Sequence, residues 1–237
     1  MRCVKEHALV MGDYTITIDS KVRVAIGEEV YEIYSSPNDL EYLAIGLGAL
    51  KGKLLDVRSI RVGDEILIEA KDLGPLELRV RDGKVEWEEI VKALRELYSI
   101  APKSKCPLAV HLGAAYVWEG RYVRKKVMMD VSRHALALKL AGYMASTGGN
   151  VPLALLSARI SGDAAKALAS GGFKVLAAFH HPLLSTIRAV AESGVTLIGK
   201  NAMNELSVIA NPSRIEGYAG PSLRLEKRGY QMMGDEC

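Results

Sequence analysis

Val151-Pro152-Leu153-Ala154-Leu155-Leu156-Ser157-Ala158-Arg159-Ile160-Ser161-Gly162 decides how this chain is read. Residues 151–156 form an apolar run without polar alternation and too short for a helix, closed by small hydroxyl-bearing residues around one arginine. A strand of this kind is buried on both faces, which predicts a parallel sheet covered by helices. Two further runs, over 174–179 and 195–198, repeat the pattern, with helices predicted over 131–145, 162–170 and 183–193. The second half is therefore expected to be α/β and doubly wound. Ligands of such sheets sit beyond the carboxyl ends of the strands. Ser157-Ala158-Arg159, Phe179-His180-His181 and Gly199-Lys200-Asn201 each follow a predicted strand directly, so all three are expected along one edge.

Outward from this core the pattern changes. β-Forming runs are predicted over 15–18, 22–26, 30–33, 60–62, 65–69 and 76–80, between Gly and Asp punctuation. Ser36-Pro37-Asn38-Asp39 reads as a helix start, with Leu40, Leu43, Ala44, Leu47 and Leu50 at helical spacing. A further helix is predicted over 86–98, and Pro102 and Pro107 bracket a basic connector. The expected organisation is a smaller β-rich α+β part over 1–105, the α/β core over 106–215, and a loose tail over 216–237.

The formal charge of the 237 residues is +3, which demands neither nucleic acid nor a membrane surface. No apolar run approaches the ~20 residues of a membrane span, and Met1-Arg2-Cys3-Val4-Lys5-Glu6-His7 lacks the apolar core of a signal peptide. Cys3, Cys106 and Cys237 form neither an even framework nor a CxxC pair. A cytoplasmic, reduced protein that contacts neither nucleic acid nor membrane is expected.

Two arginine clusters are candidates for anion binding: Asp130-Val131-Ser132-Arg133-His134 and Ser157-Ala158-Arg159-Ile160-Ser161. A guanidinium presents a planar fork of donors matched to phosphate or carboxylate oxygens. Arg133 binds a ligand or pairs with Asp130. Arg159 follows a buried strand and precedes a helix start, where backbone donors also favour an anion. Ser157 and Ser161 are hydroxyl donors, although Ser161 reads equally well as a helix N-cap. Lys200 attracts phosphate or is simply solvated. A rival class, a metal-dependent hydrolase or deaminase, would gather His111, His134, His180 and His181 with Asp130. The spacing lacks both the zinc-deaminase and the HExxH patterns, so no metal site is assigned.

These residues resemble the FdhD/NarQ family of formate dehydrogenase accessory proteins, over about residues 10–215. Ser36-Pro37-Asn38-Asp39-Leu40-Glu41 through Gly46 looks like the family's Thr-Pro, acidic, Glu-Leu-Ala-x-Gly segment. His111 with Gly113-Ala114-Ala115 resembles its His-Ala-Ala-Ala stretch. Asp130-Val131-Ser132-Arg133-His134, followed by Lys139, resembles Asp-Val-Gly-Arg-His and its later lysine. Ser157-Ala158-Arg159-Ile160-Ser161 resembles Ser-x-Arg-x-Ser, and Pro182 with Thr196-Leu197-Ile198-Gly199 resembles the end of the family domain.

The resemblance implies a core like that of cytidine deaminases (an α/β/α core), a cytoplasmic homodimer, and a guanine-dinucleotide molybdenum or tungsten cofactor as ligand, with GDP as its simplest fragment. It also implies sulfur passed from a cysteine desulfurase to that cofactor, for a formate-dehydrogenase-type enzyme. On this reading His111, Asp130, Arg133, His134, Ser157, Arg159 and Ser161 line the ligand site, with Lys200, Asn201 and Asn204 in the loop after the last strand. The family's CxxC is absent: near residues 69–76 the chain reads Glu-Ala-Lys-Asp-Leu-Gly-Pro-Leu. Family Asn and Asp positions after His134 carry Ala135 and Leu138, the Ser-Ala before Pro182 has become His180-His181, and Glu205 stands in the final loop. The expectation is a divergent accessory protein that binds the cofactor. The alternative is an active sulfurtransferase carrying a persulfide on Cys106, whose thiol Lys103 and Lys105 would acidify, against the plain reading of Cys106 as a small hydrophobe.

Overall fold

The computed structural model describes residues 8–11, 14–100, 110–119 and 122–220. The chain opens with a hairpin, β1 (Ala8–Met11) and β2 (Tyr14–Thr17). A four-stranded sheet follows from β3 (Ser20–Ile26), β4 (Glu29–Ser35), β5 (Lys53–Val62) and β6 (Ile66–Pro75), in the order β4-β3-β6-β5. Helix α1 (Leu40–Leu50) lies between β4 and β5. Along β3, Val22, Val24 and Ile26 are buried at period two while Arg23 faces solvent, the alternation of a sheet with one wet face. Lys21 and Arg23 meet Glu32 and Glu65 across that outer face.

The second half forms the larger sheet. Two short strands, β7 (Val80–Arg81) and β8 (Val85–Glu86), precede helix α2 (Trp87–Ile100). Then come β9 (His111–Glu119), β10 (Tyr122–Asp130), α3 (Arg133–Thr147), β11 (Gly149–Leu156), α4 (Gly162–Ser170), β12 (Val175–Ala178), α5 (Leu184–Ser193), β13 (Thr196–Lys200) and β14 (Leu206–Ala210). The order is β10-β9-β11-β12-β13-β14, with β7 added beside β11. A 3-10 turn (Pro212–Arg214) and β15 (Ile215–Glu216), paired with β8, complete the described chain.

The sheet is mixed rather than parallel throughout. β7, β11, β12 and β13 pair in parallel; β9, β10 and β14 are antiparallel to their neighbours. Short chain separations between β9 and β10 and between β13 and β14 suit antiparallel pairs, whereas β9 and β11 pair across the intervening β10 and α3. Both faces are covered. Ala115, Val117, Ala154, Leu156 and Leu176 pack toward α3 and α4, and Ala114, Tyr116, Leu153, Leu155 and Val175 pack toward Ile90, Leu94 and Leu97 of α2.

Helix α3 is apolar nearly all round, with residues 135–144 buried, as expected of a helix enclosed between layers. It crosses α1 at glycines. A Cβ on Gly142 would lie 1.9 Å from Tyr42 O, and one on Gly46 would lie 1.8 Å from Leu138 O. Val22, Val24, Ile66 and Ile68 of the first sheet share one core with α1, α3 and the second sheet.

The expected division at residue 105 does not follow this packing. β7 and α2 precede that point and belong to the second sheet. Glu216, assigned to the tail, is paired in β15, and Tyr218 lies 4.8 Å from Trp87. The strand expected over 76–80 is reduced to β7, because the backbone leaves the first sheet after Pro75.

Candidate functional site

The carboxyl ends of β10, β11, β12 and β13 and the amino end of β9 lie along one edge of the large sheet, because β9 and β10 pair His111 with Asp130 and β9 and β11 pair Gly113 with Leu156. Ser157, Arg159, His180 and Lys200 therefore come to a single edge, as the strand-end argument anticipates, and His111 and Arg133 join them there through β9 and β10. The N-termini of α3 and α4 open onto it, capped by the Oγ of Ser132 and Ser161, which accept from Ala135 N and Ala164 N at 3.3 Å. Ser161 is thus the cap of α4.

Asp130 was expected at the ligand, but it is turned inward and fully buried. Its carboxylate accepts from Ser35 Oγ at 2.7 Å, Ser36 N at 3.3 Å and Ser132 N at 2.7 Å, and pairs with Lys139 Nζ at 2.6 Å. Four partners saturate both oxygens, leaving none for a ligand. Lys139, also 0% exposed, gives its remaining hydrogens to Ser36 O at 3.0 Å and Asn38 Oδ1 at 3.1 Å. Burial holds the ammonium below its ordinary pKa, while Asp130 opposes that shift. Residues 36–39 are consequently a welded turn rather than a capping sequence. Asp39, just before α1, is left-handed with no side-chain cap bond. Asn38 Nδ2 donates to Met129 O at 3.2 Å.

With Asp130 paired to Lys139, Arg133 is exposed and makes no ion pair among the described residues; the same is true of Arg159, and Lys200, half-buried, likewise makes none. His111 is half-buried, and its pKa lies below the ordinary 6.5 because burial, then the charge of Arg133, disfavour imidazolium, outweighing Asp130; His180 adds to the lowering. His134 is half-buried without a hydrogen bond among the described residues.

Ser157 is spent on the fold. Its Oγ accepts from Leu112 N and its N donates to Leu112 O, both at 2.8 Å. Its carbonyl meets His180 Nε2 at 3.0 Å and accepts from Tyr98 OH at 3.2 Å. A carbonyl only accepts, so Nε2 of His180 carries the proton in that contact. The Tyr98 oxygen accepts in turn from Phe179 N at 3.2 Å, and burial pushes its phenol up to about 12. Tyr98, on α2, thus ties the ends of β11 and β12 together. Sequence reasoning missed it, since one Tyr in an amphipathic helix carries no local signal.

The loop after β13 is folded on itself. Asn201 Oδ1 accepts from Met203 N and Glu205 N at 3.0 Å, and Asn204, at φ 65°, donates its N–H to Asn201 O at 2.9 Å. Asn201 and Asn204 shape this tip, and Glu205 is exposed on it. The rival metal reading finds no ligand set: no three of His, Cys, Asp and Glu gather among the described residues. Cys3, Cys106 and Cys237 lie outside the described residues.

The class defined by this geometry is an α/β protein with a cationic strand-end edge braced by a buried ion pair. The fold is that of a solved chain described as a candidate formate dehydrogenase accessory protein from Desulfotalea psychrophila, with a TM-score of 0.66 and 20% identity over 88% of this chain and 96% of that one. The FdhD/NarQ family model matches residues 61–216, about two thirds of the sequence, and the chain belongs to that family. "Sulfur carrier protein FdhD" of Bordetella petrii is 25% identical over 76% of this chain and 79% of its own length. The Streptomyces avermitilis protein of the same name is 34% identical over 45% of this chain, which spans 38% of that relative.

Proposed function

We propose that this protein is an accessory factor for a formate-dehydrogenase-type enzyme and that it binds a guanine-dinucleotide molybdenum or tungsten cofactor at the strand-end edge. The carrying observation is the set of three cations, Arg133, Arg159 and Lys200, without ion pairs among the described residues, on an edge where two helix N-termini also open. That donor set suits a pyrophosphate: guanidinium forks match its oxygens and helix N-termini favour negative charge. Arg133 and Arg159 hold phosphates, Lys200 adds charge, and His111 forms the wall beside Arg133. Asp130, Ser157, Ser161, Asn201 and Asn204 support the site by shaping backbone. No helix among the described residues is long and apolar enough to cross a membrane.

Calorimetric titration with GDP, against AMP as control, tests this reading. Selective GDP binding that weakens in Arg133→Ala and Arg159→Ala supports it; equal or absent binding of both nucleotides removes it. Sulfur carriage is a second reading, favoured by relatives named as sulfur carriers. With no CxxC in the chain, it falls to Cys106. Cys106→Ser then abolishes sulfur transfer and leaves GDP affinity unchanged.

A further inference from the structure

The turn that leaves β4 and the turn that joins β10 to α3 are fastened by one closed polar network. Asp130 Oδ1 accepts from Ser132 N, which sets the backbone immediately before Arg133, and from Ser36 N of the other turn. Ser36 Oγ accepts from Val131 N at 3.1 Å, and Asn38 reaches both Lys139 Nζ and Met129 O. For stability alone this investment is weakly motivated, since well-packed apolar side chains of similar volume often do as well as a buried ion pair. What such a pair supplies is a single geometry. Here that geometry belongs to the two residues preceding Arg133 and to the strand end opposite His111.

We infer that Asp130, Lys139, Ser36 and Asn38 are positioning residues that aim Arg133 along the strand-end edge, so that the first sheet governs anion affinity without touching the anion. The inference rests on the anion-binding reading of that edge for its consequence, but the aiming itself can be read without a ligand. His111 reports on it. The charged and titratable groups facing His111 are Arg133, Asp130 and His180. Asp130 keeps its bonds to Ser35, Ser36, Ser132 and Lys139 when Asn38 is altered, and the double variant isolates the contribution of Arg133. Asn38→Ala keeps the Asp130–Lys139 pair and both charges. It removes one acceptor of the ammonium, the tie to Met129 O and the donor to Asp39 Oδ2.

The experiment is an NMR histidine titration of the wild type, Asn38→Ala, Arg133→Ala and the double variant, with melting temperatures to establish that each is folded. The expected result is an upward shift of the His111 midpoint in Asn38→Ala and in Arg133→Ala, with no further shift in the double variant. An unmoved His111 in Asn38→Ala, or the same shift in both backgrounds, overturns the inference. GDP titration of the same four proteins carries the second arm. Several-fold weaker binding in Asn38→Ala, vanishing in the Arg133→Ala background, supports the inference. Unchanged affinity in Asn38→Ala where Arg133→Ala weakens binding overturns it. A wild type that does not bind GDP removes the proposed ligand, while the histidine titration still decides whether Arg133 is aimed.

Discussion

Lys139 Nζ lies 2.6 Å from Asp130 Oδ2 with both side chains fully removed from solvent, in a helical stretch, residues 135–142, otherwise built from Ala, Leu and Gly. Removing one member of such a pair leaves the other charge buried and uncompensated, at a cost of about 3–5 kcal/mol. Lys139→Met is expected to lose that much in urea unfolding. Adding Asp130→Asn recovers most of the loss, because the amide oxygen still accepts from Ser132 N while no charge stays buried.

Gly142→Ala tests the helix crossing. In an open helix the change is favourable by about 0.8–1 kcal/mol. Here the new Cβ would sit 1.9 Å from Tyr42 O, and the atom it meets is backbone. Overpacking costs about 1–3 kcal/mol and wins. A lowered melting temperature is expected, and a raised one would show that α1 and α3 can part cheaply.

Acid sensitivity follows from His111. Its pKa is depressed in the fold, from burial first and Arg133 second, relative to an ordinary 6.5. The stability tied to its neutral form is therefore fully present above pH 6.5 and is lost as pH falls through the folded value. Stability measured downward from pH 7 should decline, and His111→Gln should flatten that part of the profile.

If the cationic edge binds nucleotide phosphates, Arg133→Ala and Arg159→Ala should each weaken GDP roughly tenfold or more, the scale of a charge-assisted hydrogen bond. The wild-type affinity should also fall with added salt, and less steeply in either variant. Calorimetry at two ionic strengths checks both.

Asn201→Ala removes the acceptor that Met203 N and Glu205 N share. Amide exchange of these two residues should accelerate, with a global cost of no more than about 1–3 kcal/mol. Unchanged exchange would mean the backbone bond between Asn201 N and Glu205 O suffices to hold the tip.

The second half was legible because its signals are local. Apolar runs gave β11, β12 and β13, and α4 starts and stops at the glycines and serines that mark it. The edge that gathers Arg159, His180 and Lys200 followed from strand ends alone; the arrival of Arg133 there depends on the pairing of β9 with β10 and β11. The direction of β9, β10 and β14 was not legible, since period and hydropathy do not encode which way a neighbour runs. The role of Asp130 was misread for a related reason. An acidic residue beside an arginine looks like a local pair, and nothing nearby in sequence announces that Lys139 and Ser36 reach it from other elements. The family resemblance pointed to residues of this edge, but only packing separates those left exposed on it, such as Arg133 and Arg159, from those that brace it, such as Asp130.

At Gly46 and Gly142 the two central helices touch through backbone rather than through side chains. Side chains can change rotamer and let neighbouring elements slide; main chain in contact has nothing to rearrange. The joint between the two sheets therefore has no slack. A disturbance in either layer must be carried as a movement of the whole helix pair or not at all.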